Sequence, residues 1–155
     1  MSIFSIIKRL KRRSHVETPP PRWKVHYKNR FLLAVMEELA GNAKICFEGD
    51  LQTLPILRFP GASTEETGAF KRNTTWPKQD FVIVPLEPST VRPILAAIGG
   101  TIPRDIWHIL IAKAGKLEFA AYDNFHPECL YFGKALKQRF LESLVSDGLL
   151  ERLKD

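Results

Sequence analysis

Reactive side chains concentrate in one short stretch, Tyr122 to Cys129, which reads YDNFHPEC. An imidazole beside a thiol can generate a nucleophilic thiolate, and a carboxylate can orient the imidazole. The candidate catalytic residues are therefore His126 and Cys129, with Asp123 or Asn124 as the orienting group. Thiol enzymes usually draw the thiol and the imidazole from separate segments. The stretch is thus more typical of a turn, stiffened by Pro127, that leads into a buried strand.

The same stretch offers metal ligands in His126, Glu128 and Cys129, and His108 could join them. Zinc sites need about four ligands at recognised spacings, and the chain has no C-x-x-C or H-x-x-x-H pair. We therefore predict no metal site, and His108 is predicted to be a core histidine with a backbone or carboxylate partner. Gly99-Gly100 follows a helix pattern instead of opening one, so we predict no nucleotide cofactor either.

Two further acids, Glu48 and Asp50, flank Gly49 at the end of a predicted strand. Such a pair could hold Mg²⁺ or share a proton. Nucleases that use this arrangement need a lysine two residues after an acid, and the chain contains no Asp-x-Lys or Glu-x-Lys. The pattern therefore predicts a strand-ending turn with both acids in solvent.

Basic and aromatic residues meet in a long segment without a clear helix or strand pattern, residues 55–79. Such a segment inside a compact domain is often functional. We predict that it contacts a partner protein, because Trp and Arg are frequent interface anchors, and the predicted contacts are Glu66, Arg72, Trp76 and Lys78. Two alternatives stay open: Trp76 stacks on nucleic-acid bases, or it folds back and pins the segment to the body.

The positive charge of the chain belongs to its N-terminal part. Of the net +6, residues 1–30 contribute +8 and residues 31–155 contribute −2. Apolar residues at helical spacing predict a short basic amphipathic helix in this arm. Its candidate polyanion-binding residues are Lys8, Arg9, Lys11, Arg12 and Arg13. An arm of this kind could contact nucleic acid or an anionic membrane surface, serve as a targeting peptide, or be a solvated terminus.

The remaining pattern predicts one α+β domain over residues 23–155, after an arm and proline-rich linker over residues 1–22. A hairpin is expected from Ile106–Lys113 and Lys116–Asp123 around Ala114-Gly115, with Leu110 and Phe119 paired on the core face. Helices are expected over 29–41, from Ser89 or Thr90 to Ile98, and over 134–147. The sheet should be antiparallel or mixed, with about three helices packed against it.

Together these features favour a binding module over an enzyme. The first hypothesis is a non-catalytic protein that binds another protein, in the manner of a small bacterial immunity or antitoxin protein that masks its partner. It would use segment 55–79 and an exposed hairpin edge. The alternatives are an enzyme built on the 123–129 stretch, and a nucleic-acid or membrane-surface binder that acts through the arm. With two cysteines and no long apolar run, a water-soluble cytoplasmic protein is expected, with peripheral membrane contact through the arm as a variant.

Overall fold

The computed structural model describes residues 21–154, so the basic arm, including Lys8, Arg9, Lys11, Arg12 and Arg13, lies outside the described residues. Within residues 21–154 the chain forms three α-helices and seven strands. The helices are α1 (Lys28–Leu39), α2 (Val91–Ala97) and α3 (Gln138–Ser146). The strands are β1 (Arg22–Val25), β2 (Ala43–Gly49), β3 (Asp80–Leu86), β4 (Ile106–Lys113), β5 (Lys116–Ala121), β6 (Leu130–Phe132) and β7 (Leu150–Leu153).

Five strands form an antiparallel sheet in the order β3-β2-β4-β5-β6. This confirms the predicted α+β class and its antiparallel sheet. Strands β1 and β7 form a separate antiparallel ribbon, in which Arg22 pairs with Leu153 and Val25 with Leu150. The sequence pattern does not predict this ribbon, because its two strands are only four residues long and lie at opposite ends of the described chain.

Both faces of the five-stranded sheet are buried. One face packs on α1, where Phe31 lies within 6.0 Å (ring centroids) of Phe119 and 6.1 Å of Phe125. The other face carries a smaller apolar cluster that contains Leu110, Ala120 and Phe70. Phe70 belongs to segment 55–79, so the later part of this segment covers the second face, whereas Ile56 near its start packs in the first cluster.

The hairpin between β4 and β5 has the predicted turn but not the predicted register. Ala114 and Gly115 both adopt positive φ, at 51° and 77°, as a tight two-residue turn requires. A bulge at Glu118 then shifts the pairing, so that Leu110 faces Ala120 and Phe119 faces Ile111. The prediction that Leu110 and Phe119 share the core face was therefore wrong, since they lie on opposite faces.

Other elements differ from the prediction mainly at their ends. Strand β5 ends at Ala121 instead of Asp123. Helix α3 begins at Gln138, four residues later than expected, and buries Leu141 and Leu144. Val145 of the same helix is exposed. Segment 55–79 contains one 3₁₀ turn (Pro55–Arg58) and otherwise turns and irregular backbone.

The predicted exposed hairpin edge does not exist. Strand β4 is hydrogen-bonded to β2 as well as to β5, and β5 is also bonded to β6. The outer edge of β3 is occupied at Ile83 by a bridge from Ser63. Beside β6, Trp23 of the ribbon packs edge-on against Phe132. These contacts shield part of each outer edge of the sheet. No helix within residues 21–154 has the length and apolar character that spanning a membrane requires.

Lys113 closes the C-terminal end of α1. Its ammonium group donates to the carbonyl oxygens of Leu39 (2.9 Å), Ala40 (3.3 Å) and Gly41 (2.7 Å), groups that a helix end leaves unpaired. We expect Lys113→Ala to lower the free energy of unfolding by about 1–2 kcal/mol, measured by urea denaturation. Lys116→Ala, an exposed lysine of the same hairpin, serves as the control, and equal losses in the two variants would contradict this role.

Candidate functional site

A row of polar side chains crosses the sheet beneath segment 55–79. Glu48 on β2 pairs with Phe81 of β3 on one side and with His108 of β4 on the other. The next member is Tyr122, whose ring packs edge-on against His108 with 5.7 Å between ring centroids. Glu48 and His108 are 0% and 2% exposed. The row is therefore a polar stripe inside an otherwise apolar layer.

Glu48 binds the backbone of the covering segment. Its carboxylate accepts hydrogen bonds from the N–H of Asn73 (2.8 Å to Oε1) and from the N–H of Thr74 (2.8 Å to Oε2). The prediction that Glu48 and Asp50 are both solvent-exposed was therefore wrong for Glu48, although Asp50 is exposed. A buried carboxylate must be compensated by donors, and this one uses its donors to hold residues 73–74 on the sheet.

His108 connects that segment to a second one. Its Nδ1 accepts a hydrogen bond from the N–H of Asp123 (3.1 Å), and its Nε2 lies 3.0 Å from Oγ1 of Thr74. Because Nδ1 is an acceptor, the neutral ring carries its proton on Nε2 and donates to the Thr74 hydroxyl. This confirms the prediction of a core histidine with a backbone partner. His108 thus joins residue 74 to residue 123.

Burial dominates the electrostatics of this row. Burial raises the pKa of the Glu48 carboxyl, while hydrogen bonds from Asn73 and Thr74 and the charge of Arg72 lower it. Burial lowers the pKa of His108 to about 4, although the charge of Asp123 opposes this change. The imidazole is therefore neutral at pH 7. Glu48 and His108 are both shielded from solvent, so a substrate cannot reach them. Their hydrogen bonds instead fix residues 73–74 and residue 123 in place.

The pKa of His108 predicts that stability falls in acid. Between the ordinary histidine pKa of 6.5 and about 4, the unfolded chain binds a proton at this ring that the folded protein does not. The free energy of unfolding should therefore fall as the pH drops through this window, by up to about 3 kcal/mol. The raised pKa of Glu48 has the opposite effect. Above pH 4.5 the folded protein holds a proton on this carboxyl more readily than the unfolded chain does, so this group adds stability as the pH falls. Urea denaturation at pH 7 and pH 5 should show a smaller loss in His108→Gln than in wild type. An equal loss in both would contradict the prediction.

The part of segment 55–79 around Trp76 is anchored by Phe70 and not by Trp76 itself, and buried Ile56 separately holds the start of the segment. Phe70 is 1% exposed in the cluster on the second sheet face, whereas Trp76 is 89% exposed. The alternative in which Trp76 folds back and pins the segment was therefore wrong. The relevant signal was present in the sequence, since Phe70 is the only other large apolar residue between Gly61 and Gln79.

The four predicted partner contacts occupy different environments. Arg72 is turned inward: its guanidinium donates to the carbonyl of Gln79 and lies 5.0 Å from the centre of the Phe81 ring. Glu66 accepts a hydrogen bond from the N–H of Arg72 at 2.6 Å. Trp76 and Lys78 project into solvent. Two of the four thus shape the segment, and two are presented by it.

The 123–129 stretch does not form a thiol–imidazole pair. His126 uses Nδ1 to accept a hydrogen bond from the N–H of Glu128, and Asp123 directs its own N–H to His108 instead. Within residues 21–154, no hydrogen bond joins the Cys129 thiol to the His126 ring. Burial, together with the charges of Asp123 and Glu128, raises the pKa of the Cys129 thiol. A catalytic thiolate requires a lowered pKa.

Asp123, Asn124 and Phe125 form an uncommon backbone turn, with φ of 50°, 52° and 62°. Such a run of left-handed non-glycine residues is strained and needs support from its surroundings. Lys28 supplies part of it by donating to Oδ1 of Asn124 at 3.1 Å. The carbonyl of Trp107 accepts from the N–H of Asn124 at 2.8 Å. This turn is the second segment that His108 holds.

The cysteines are separate, and the described part of the chain contains no metal cluster. Cys46 and Cys129 are both free thiols. Strands β4 and β5 lie between β2 and the β6 side, which separates the two residues by about 14 Å at normal strand spacing. In residues 21–154, no three His, Cys, Asp or Glu residues come together where they could hold a metal ion.

One surface groove is lined by none of the residues of the polar row. It has a volume of about 600 Å³ and is formed by residues 52–55 and 57–60 with Ala97 of α2. Arg58 is its only charged residue, so its lining contains no acid–base pair and no nucleophile with a base.

Comparison of the chain with models of known protein families, with curated proteins and with solved structures finds no match. The candidate site is therefore defined by its geometry alone: a buried row of Glu48 and His108 that fixes the segment from which Trp76 projects.

Proposed function

We propose that this protein is a non-catalytic module that binds another protein through Trp76. The observation that carries the proposal is the contrast within a few residues: Trp76 is 89% exposed, while the backbone two and three residues earlier is hydrogen-bonded to buried Glu48. A large aromatic side chain in water has no stabilising role in its own fold. Tryptophan is also the side chain most enriched among dominant interface residues.

The fixed backbone supports this proposal further. Binding costs less when the contacting segment is already ordered in the free protein. Glu48 and His108 hold residues 73–74 from below, and Phe70 anchors the segment nearby. Trp76 is thereby presented close to a rigid base. A role in masking a partner, as bacterial immunity or antitoxin proteins do, remains a prediction from the size and charge of the chain.

The test is a comparison of proteins retained by the immobilised full chain and by two variants. Trp76→Ala removes the proposed anchor. Tyr27→Ala removes another exposed aromatic residue, 68% exposed at the start of α1 on the opposite sheet face. We expect a partner that wild type and Tyr27→Ala retain equally, and that Trp76→Ala binds at least about 30-fold more weakly. If no protein shows this pattern, the proposal fails.

Two further measurements separate the alternatives. Replacing Lys8, Arg9, Lys11, Arg12 and Arg13 by serine in the full chain should leave the affinity for the partner nearly unchanged. It should abolish retention on nucleic acid or anionic vesicles if the arm is the functional unit. Alkylation of Cys129 at neutral pH should be slow, because its thiol pKa is raised. Fast alkylation would instead favour the enzyme hypothesis.

A further inference from the structure

The charged residues near Trp76 indicate what kind of partner surface it would contact. We define the Trp76 surface as the exposed side chains of Lys71, Thr75, Trp76, Pro77 and Lys78. Residues 67–79 contain three cations, Lys71, Arg72 and Lys78, and no carboxylate. Arg72 is directed inward, so the exposed charges of this stretch are the ammonium groups of Lys71 and Lys78, which flank Trp76 in sequence.

Three carboxylates adjoin this stretch, and each accepts hydrogen bonds from other groups of the protein. Glu48 is buried and bound to Asn73 and Thr74. Asp80 accepts from the N–H of Leu51 with one oxygen (2.9 Å) and from the Gln52 side chain with the other (2.7 Å). Glu66 accepts from the N–H of Arg72.

Lys71 and Lys78 are left without acidic partners in the free protein. Neither forms a salt bridge with any residue of the 21–154 range. The positive charge of the Trp76 surface is therefore available to a ligand.

We infer that the partner contacts the Trp76 surface with an acidic protein segment, in which carboxylates lie beside an apolar site that receives the indole. This inference rests on the proposed function and specifies its ligand. Complementary charges around a buried aromatic anchor increase the association rate and select among partners.

Charge distribution favours a protein over a nucleic acid as the ligand. Single strands are usually bound in grooves that follow several phosphates and stack successive bases. The Trp76 surface offers one exposed aromatic ring and two lysines, and residues 31–155 carry a net charge of −2. One apolar anchor with two flanking charges therefore suits a compact contact with a protein better than a contact with a nucleic-acid strand.

The test uses a displayed library of random 12-residue peptides, selected on the immobilised full chain with Trp76→Ala as the counter-selection. The enriched peptides are synthesised, and their affinities are measured by fluorescence anisotropy. We expect the Trp76-dependent peptides to combine Asp or Glu with apolar residues. The double variant Lys71→Glu/Lys78→Glu should bind them at least about tenfold more weakly. Lys134→Glu/Lys137→Glu makes the same charge change at two exposed lysines elsewhere and should have little effect.

The possible outcomes test the acidic partner separately from the binding role of Trp76. If no peptide depends on Trp76, the proposed function and the inference both fail. If Trp76-dependent peptides are neutral or basic, or ignore the Lys71→Glu/Lys78→Glu change, only the acidic partner is excluded. A single-stranded 20-nucleotide DNA that binds more tightly than every peptide, and loses affinity in both Trp76→Ala and the double variant, would overturn the inference in favour of nucleic acid.

Discussion

Replacing Glu48 by alanine should lower the free energy of unfolding by about 3 kcal/mol. The change leaves the N–H groups of Asn73 and Thr74 without their acceptor, and a buried donor without a partner costs about 1–3 kcal/mol. It also opens a cavity beside His108. For a domain of this size the loss corresponds to a decrease in Tm of about 10 °C, measured by calorimetry.

Two other variants make this prediction specific. Asp50→Ala removes a neighbouring carboxylate that is exposed, and it should change Tm by less than about 2 °C. Glu48→Gln keeps one carbonyl oxygen for the amides and removes a buried charge, so it should lose less than Glu48→Ala. If Glu48→Ala is as stable as Asp50→Ala, Glu48 does not hold the segment, and the rigid base of the Trp76 surface is disproved.

The second large effect is expected for Phe70→Ala, with a loss of about 3–4 kcal/mol. The Phe70 ring is 1% exposed, and removing a buried phenyl group combines lost burial with a cavity. The measurement is urea denaturation, followed by amide hydrogen exchange in the native state. Exchange should become faster in residues 62–79, because this segment loses its apolar anchor.

Trp76→Ala is the matched comparison, six residues further along the same segment. Because Trp76 is 89% exposed, its removal should change the free energy of unfolding by no more than about 0.5 kcal/mol. The pair separates the two roles within segment 55–79: Phe70 supports the fold, and Trp76 is available to a partner. A Trp76→Ala variant as unstable as Phe70→Ala would show that the indole stabilises its own domain, and would remove the main support for the proposed function.

Local patterns predicted the helices, the tight turn of the hairpin and the irregular character of residues 55–79. Each of these depends on neighbours in sequence: apolar spacing in α1, Gly115 at positive φ, and clustered Pro and Gly. The register beyond the turn depends instead on a distant contact. Glu118 accepts the N–H of Ala135 at 2.9 Å, and Gly133 lies so close that an added Cβ would be 2.8 Å from Glu118 Cα. No local pattern carries that information.

The candidate site was harder to predict, because the role of Glu48 depends on whether its face of the sheet is covered or open to solvent. Alternation along β2 places Cys46 and Glu48 on one face, and a charged residue there normally indicates solvent. Segment 55–79 covers this face, and its backbone N–H groups turn Glu48 into a buried anchor. Trp76 was singled out by residue type, but only the structure shows that Phe70 holds the segment and leaves the indole free.

The ribbon of β1 and β7 has a consequence for the order in which the protein folds. Its side-chain contact between His26 and Glu151, at 2.7 Å, joins residues separated by 125 positions. Closing so long a loop costs more chain entropy than forming the β4–β5 hairpin, and each of these strands has only four residues to offset that cost. The ribbon should therefore form last during folding and open first during unfolding.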